Sequence, residues 1–153
     1  MLWALYWHMS SDTVVCFDLE GTIIKSWTNH SRLVRNIDLI KSHLDTLTNP
    51  TFHIFSFAIY DDGDKQVFDT ELKQIIEELF GINISKVWTM DEMARTLNLS
   101  SRQEVFDLGK QKAHYALYHQ DQSILFDDVV NNEQQGNCKY IKCNNKPKYG
   151  EAH

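Results

Sequence analysis

The chain has few of the residues that staple or stiffen small proteins. Three cysteines (Cys16, Cys138, Cys143) and two prolines occur in 153 residues. The cysteine count is odd, and no Cys-x-x-Cys pair or Cys/His zinc spacing is present, so a disulfide scaffold and a zinc finger are excluded. Cys16 stands in an apolar run and reads as a buried thiol. Cys138 and Cys143 would face opposite sides of an extended strand. All three read as reduced, which points to a cytoplasmic compartment. No apolar run approaches the ~20 residues that cross a bilayer, so no membrane partner is expected. Residues 1–7 (MLWALYW) are apolar but lack the basic start of a secretory signal; they read as a packing segment, an upstream extension or an oligomer contact, and a homo-oligomer enters the expected partners on that ground. Positive charge is also short, with 15 basic against 21 acidic side chains and a net charge of −6. That balance argues against a general nucleic-acid-binding surface, though not against a local basic group at a phosphate site. Repeats and low-complexity stretches are absent.

What is present is an ordinary globular composition, 42% apolar and 24% charged, in a length that suits one domain. The pattern divides into an apolar N-terminal extension (1–12), a single core domain (13–143) and a loose polar tail (144–153). Within the core, residues 13–17 (TVVCF), 51–57 (TFHIFSF), 84–89 (ISKVWT) and 123–126 (SILF) read as buried strands, and 138–143 as a last strand after the Gly136-Asn137 turn. Leu33, Ile37, Ile40 and Leu44 mark one face of a helix over 31–47, and Leu72, Ile75, Ile76 and Leu79 a second helix stopped by Gly81. Met93 and Leu97 suit a short helix, and 105–118 is helical with a break at Gly109. Asp61, Asp62 and Asp64 do not fit a calcium loop and read as a solvated turn. Buried strands alternating with amphipathic helices predict an α/β, Rossmann-like three-layer sandwich around a central parallel sheet.

Ligands of such sheets bind at the carboxyl ends of the strands. Polar residues gather there: Asp18, Glu20 and Thr22 after the first strand, Ser56 at the end of the second, Asp127 and Asp128 after the fourth. Gly21 lets the chain turn behind the first pair. If the first and fourth strands are neighbours, three or four carboxylates converge, and like charges that close need a counter-charge. An all-oxygen set suits Mg²⁺.

The run Val14-Val15-Cys16-Phe17-Asp18-Leu19-Glu20-Gly21-Thr22 resembles the first motif of the haloacid dehalogenase superfamily, an apolar strand followed by Asp-x-Asp-x-Thr. Its second motif is matched by Phe52 to Ser56, its lysine by Lys110 or Lys112, and its terminal acidic pair by Asp127-Asp128, with Asn132 four positions further on. The motifs stand in the family's order. The resemblance implies a HAD-like fold and a Mg²⁺-dependent phosphatase. Asp18 would be the nucleophile that forms an aspartyl-phosphate, and Glu20 the general acid/base. Ser56 would bind a phosphoryl oxygen, and Lys110 (or Lys112) would neutralise shared negative charge. Gly21 and Thr22 would help form the phosphate site. Asp18, Asp127 and the Glu20 backbone would hold Mg²⁺, with Asp128 as ligand or support. Lys110 is preferred because it follows Gly109 and opens a helix; the two lysines, ~200° apart on a helix, cannot both face the site.

Most phosphatases of the family have Asp where Glu20 stands; Asp-x-Glu-Gly-Thr resembles the enolase-phosphatase branch. Neither gap between motifs has room for a cap of about 60 residues beyond the core elements, so the chain resembles the capless subclass. The expected partner is a phosphorylated substrate, either a small molecule or the end of a macromolecule. Two other functions fit the same residues: a catalytically weak or inactive domain that binds a phosphorylated ligand or protein, and phosphoryl transfer between substrates. Trp27 lies where the family places a flap and reads as packing or substrate contact. His53 reads as packed, and the other histidines are scattered.

Overall fold

The computed structural model describes residues 12–25, 27 and 36–144. Residues 1–11 and 145–153, which make up nearly all of the expected extension and tail, lie outside it, as do 31–35 of the expected first helix. Six strands and six helices are described: β1 (Thr13–Phe17), α1 (Ile37–Leu44), β2 (Pro50–Ile54), α2 (Asp62–Glu71), α3 (Lys73–Phe80), β3 (Ile84–Val87), α4 (Met90–Thr96), α5 (Arg102–Leu108), α6 (Lys110–Tyr118), β4 (Ser123–Asp127), β5 (Glu133–Gln135) and β6 (Cys138–Lys142). The strands form one open sheet in the order β3-β2-β1-β4-β6-β5. All pairings are parallel except β5 with β6. No described helix is long and apolar enough to cross a membrane.

Strand periodicity divides the core in two. Val15, Phe17, Phe52, Ile54, Ile124 and Phe126 point to one face, against Ile40 of α1, Phe68 of α2 and Ile76 and Phe80 of α3. Cys16, Leu125, Cys138 and Tyr140 point to the other, against Met93 of α4, Val105 of α5 and Ala113 and Tyr118 of α6. The result is three layers, with both faces of the sheet covered. Phe17 anchors the first face. Its ring stacks on Phe52, Phe80 and Phe126 at centroid distances of 5.9, 5.7 and 5.8 Å, which ties β1 to both neighbours just before the chain reaches Asp18. Cys138 and Cys143 do fall on opposite faces, and all three cysteines are buried free thiols.

Four expectations change. The Asp61-Asp62-Gly63-Asp64 segment is solvent-exposed at its first three residues, as expected, but it is not a turn: it begins α2, with Asp61 as the cap accepting from Asp64 N–H at 3.0 Å and Asp64 in turn accepting from Tyr60 N–H at 2.9 Å. This helix buries only Phe68, so it carries almost no hydrophobic periodicity to read. The described part of the first helix runs only from Ile37 to Leu44. β2 ends at Ile54, because the chain must leave the sheet to bring Ser56 round to the cleft. Finally, β5 is an additional, wholly exposed edge strand of Glu and Gln, and it makes the sheet mostly rather than wholly parallel.

His114 is fully buried on the α6 face. Ser123 Oγ donates to Val14 C=O at 2.9 Å and so accepts from His114 Nε2–H at 3.1 Å, which leaves Nδ1 to accept from the Tyr140 hydroxyl at 2.9 Å. Burial pushes the imidazole down to about 3 against a weak opposing pull from Asp127. The unfolded chain takes up this proton near pH 6.5 and the folded chain only near pH 3, so stability falls as pH drops through that window. At pH 5 the expected loss from this residue is about 2 kcal/mol relative to pH 7.5. Urea midpoints at the two pH values should show that loss in the wild type and a smaller one, by that amount, in His114→Gln; equal losses would rule the assignment out.

Candidate functional site

β1 and β4 pair in register from Val14↔Ser123 to Phe17↔Phe126, and Asp18 N–H continues the ladder to Phe126 C=O at 3.0 Å. Asp18 and Asp127 therefore leave the sheet side by side. This is also where the strand order reverses: β2 and β3 lie on one side of β1, and β4, β6 and β5 on the other. The carboxyl ends of strands at such a switch point form a crevice.

Lys110 opens α6 and reaches into that crevice. Its Nζ donates to Asp18 Oδ1 at 2.8 Å and to Asp127 Oδ1 at 3.0 Å, with all three side chains at most 7% exposed. Gly109 makes this possible. Its φ of +94° with ψ of 156° lies in a region essentially restricted to glycine, and it turns the chain sharply from α5 into α6. Lys112 is exposed, so of the two lysines it is Lys110 that reaches the carboxylates.

The second oxygen of Asp18 is also engaged: Thr22 Oγ1 donates to Oδ2 at 3.0 Å. Thr22 is fully buried in the tight turn that follows β1, where Ile23 and Ile24 N–H both bond Leu19 C=O. Its hydroxyl therefore orients the carboxylate from behind. Gly21 in the same turn has a φ of +78°, and a Cβ there would come within 2.2 Å of Asp128 Oδ2. Only glycine lets the two acidic strand ends approach this closely.

Asp18, Asp127 and Asp128 each place a carboxylate oxygen within 4.8 Å of the others. With all three ionised, the carboxylates exceed the one ammonium by two negative charges in a largely buried volume. Burial lifts the Asp18 carboxyl well above its ordinary range, with Asp127 adding to the rise against the pull of Lys110. Burial also raises Asp127, but Lys110 and the hydrogen bonds from Lys110 and Val129 N–H outweigh it and hold Asp127 low. Asp128 is raised, first by burial and then by Asp127. An all-oxygen set with this charge excess fits a hard divalent cation such as Mg²⁺.

Above the cluster opens a cleft of about 620 Å³, whose lining includes Asp18, Glu20, Ser56, Lys110 and Asp128. Ser56 is buried, with Oγ accepting from Ala58 N–H at 3.0 Å. Glu20 is exposed on the cleft wall and stands apart from the three-carboxylate cluster; its Oε2 accepts from Trp27 N–H at 2.5 Å. Gly21 and Thr22 lie behind the cluster rather than on the cleft wall. Asn132 sits elsewhere: its Oδ1 accepts from Lys142 N–H at 2.8 Å. The sequence pattern did not single out Phe57, Tyr60, Phe106 or Val129, and it read Asp64 as part of a solvated turn; all five line the cleft. For two of them a signal existed, since Phe57 directly follows Ser56 and Val129 directly follows Asp128.

Set against protein-family models, curated proteins and solved structures, the chain matches none of them. What the chain shows by itself is an α/β sandwich with an acidic, lysine-bridged cleft at its switch point.

Removing one partner of a buried ion pair leaves the other charge uncompensated. Lys110→Met is expected to lower unfolding free energy by about 3 kcal/mol, and Lys112→Met to stay within about 0.5 kcal/mol of the wild type. Denaturant midpoints decide between this and a merely solvated Lys110, for which the two variants would be alike.

Proposed function

We propose that this chain is a Mg²⁺-dependent phosphomonoesterase of haloacid dehalogenase type, acting without a cap domain. The observation that carries the reading is the Asp18 carboxylate, fixed on one oxygen by Lys110 and on the other by Thr22, at the floor of an open cleft and beside uncompensated negative charge.

In this mechanism the phosphoryl oxygens of the substrate accept hydrogen bonds from Lys110 Nζ and Ser56 Oγ. One Asp18 oxygen attacks phosphorus, and the bond from phosphorus to the ester oxygen breaks. The departing oxygen takes a proton from Glu20. Water then attacks the phosphorus of the aspartyl-phosphate and gives its proton to Glu20. The Asp18–phosphorus bond breaks, and inorganic phosphate and the Asp18 carboxylate are restored. Asp18, Asp127 and the Glu20 backbone carbonyl would hold Mg²⁺, with Asp128 as ligand or support. The ion supplies positive charge that keeps the buried carboxylates ionised and offsets the phosphoryl charge. Lys110 does part of the same work from the protein side, and Thr22 keeps the attacking carboxylate from rotating.

The bond from Trp27 N–H to Glu20 favours a second reading, in which Glu20 mainly secures the segment around residue 27 and the domain binds a phosphorylated ligand with little turnover. The two separate on Glu20→Gln. Under the phosphatase reading it loses ~10²-fold or more of kcat on a phosphomonoester panel.

Asp18→Asn is expected to abolish phosphate release while unfolding at the same or a higher temperature, since it removes one of three crowded carboxylates. Wild type that releases no phosphate from a broad panel with Mg²⁺ would end the phosphatase reading. Independently of turnover, Mg²⁺ at a hundred times its dissociation constant should add about 2.7 kcal/mol of stability. Thermal shift should register this in the wild type and not in Asp127→Asn.

A further inference from the structure

The walls of the cleft are more apolar than a site for a sugar or glycerol phosphate would require. Phe57, Tyr60 and Phe106 line it, with Val129 on the loop after β4. Phe106 is 61%, Val129 67% and Tyr60 46% exposed, although none of them is needed to cover the core. Exposed aromatics gathered around one cleft mark a recognition surface more often than scattered surface hydrophobics do.

Their placement relative to the reacting group is specific. The Phe57 ring centroid stands 4.8 Å from Lys110 Nζ. The Phe106 ring continues the wall outward, 6.2 Å from Phe57 and tilted 41° to it. Beyond it, Tyr60 and Phe106 also border a smaller recess of about 190 Å³ beside Arg102. The aromatic wall therefore starts immediately next to the phosphoryl position. A ring attached directly to the ester oxygen reaches it, whereas a ribose or glycerol would set hydroxyls against the Phe57 and Phe106 rings, which give them no hydrogen-bond partner.

Charge narrows the class further. Among the described residues, the cleft wall carries Lys110 as its basic group against Asp18, Glu20, Asp64 and Asp128. Arg102, whose guanidinium lies over the Tyr60 ring, is already paired with both Asp91 oxygens at 3.0 and 3.1 Å. A second phosphate on the substrate would meet acidic side chains.

We infer that the cleft takes aryl phosphate monoesters, with the phosphoryl group on Asp18 and Lys110 and the aromatic ring of the leaving group against Phe57 and Phe106. The inference takes the phosphoryl position from the phosphatase reading above.

Non-hydrolysable phosphonates test this apart from turnover. With Mg²⁺, phenylphosphonate should bind about tenfold more tightly than methylphosphonate in ligand-observed NMR. Phe106→Ala should bring the two together, and Phe106→Tyr should keep them apart. The Phe106 ring lies mostly in solvent, so both variants should fold, which circular dichroism confirms. Equal binding of the two phosphonates by the wild type overturns the inference, as does a preference that survives both Phe106→Ala and Phe57→Ala. If the preference holds but no phosphomonoester is hydrolysed, the aryl site stands and the hydrolytic reading falls; hydrolysis without the preference has the opposite meaning. Phosphotyrosine supplied free and within a short peptide then tells which source of the ring the enzyme prefers, by the higher kcat/KM.

Discussion

The Lys110 ammonium between Asp18 and Asp127 is the contact around which the rest is arranged. Its members come from the end of β1, the end of β4 and the first residue of α6. Buried charges persist only when paired, so these three segments are held to one geometry. The requirement reaches outward. β1 and β4 must be adjacent and in register, which the Phe17–Phe126 stack secures on one face. α6 must begin at residue 110, which the Gly109 backbone enforces. Asp128 must approach the turn after β1, and this needs a glycine at position 21.

The same contact does not explain why the domain is stable. Ion pairs this buried are often no better than well-packed apolar residues of the same size. Stability comes from the two apolar layers on either side of the sheet. The acidic cluster works against them, because burial and mutual repulsion lift Asp18 and Asp128. Such a cluster at the switch point works against folding, and local conflict of this kind is characteristic of functional sites.

Legibility in the sequence followed how local each signal was. The central strands were legible because β1 and β4, buried on both faces, read as continuous apolar runs. Asp18, Asp127 and Asp128 were legible because they end those runs, and their gathering followed once β1 and β4 were taken as neighbours. Two errors have the same cause. α2 buries one side chain and β5 buries none, so neither leaves a hydrophobic period, and each is held by caps or by pairing that only the folded chain supplies. Lys110 and Lys112 were indistinguishable by residue type; the rotation of α6 about its axis separates them, and that rotation is set by Ala113, His114 and Tyr118 packing on the sheet. The conformation of Glu20 was out of reach, because it depends on where the backbone of Trp27 returns.

The aromatic wall shows a different limit. Phe57 and Val129 are each one residue beyond a chemical group, and Phe106 is four before Lys110. On an extended strand, neighbours point to opposite sides, so adjacency in sequence would separate the wall from the chemistry. Here the chain has already left the sheet: β2 stops at Ile54 and β4 at Asp127. In the turns that follow, consecutive residues face the same opening. On the phosphatase reading this arrangement has a consequence. With recognition carried by the residues next to Ser56, Lys110 and Asp128, whatever selects the substrate also positions the groups that act on it. Specificity and catalysis then cannot be varied independently, as they could be if a separate domain closed over the cleft.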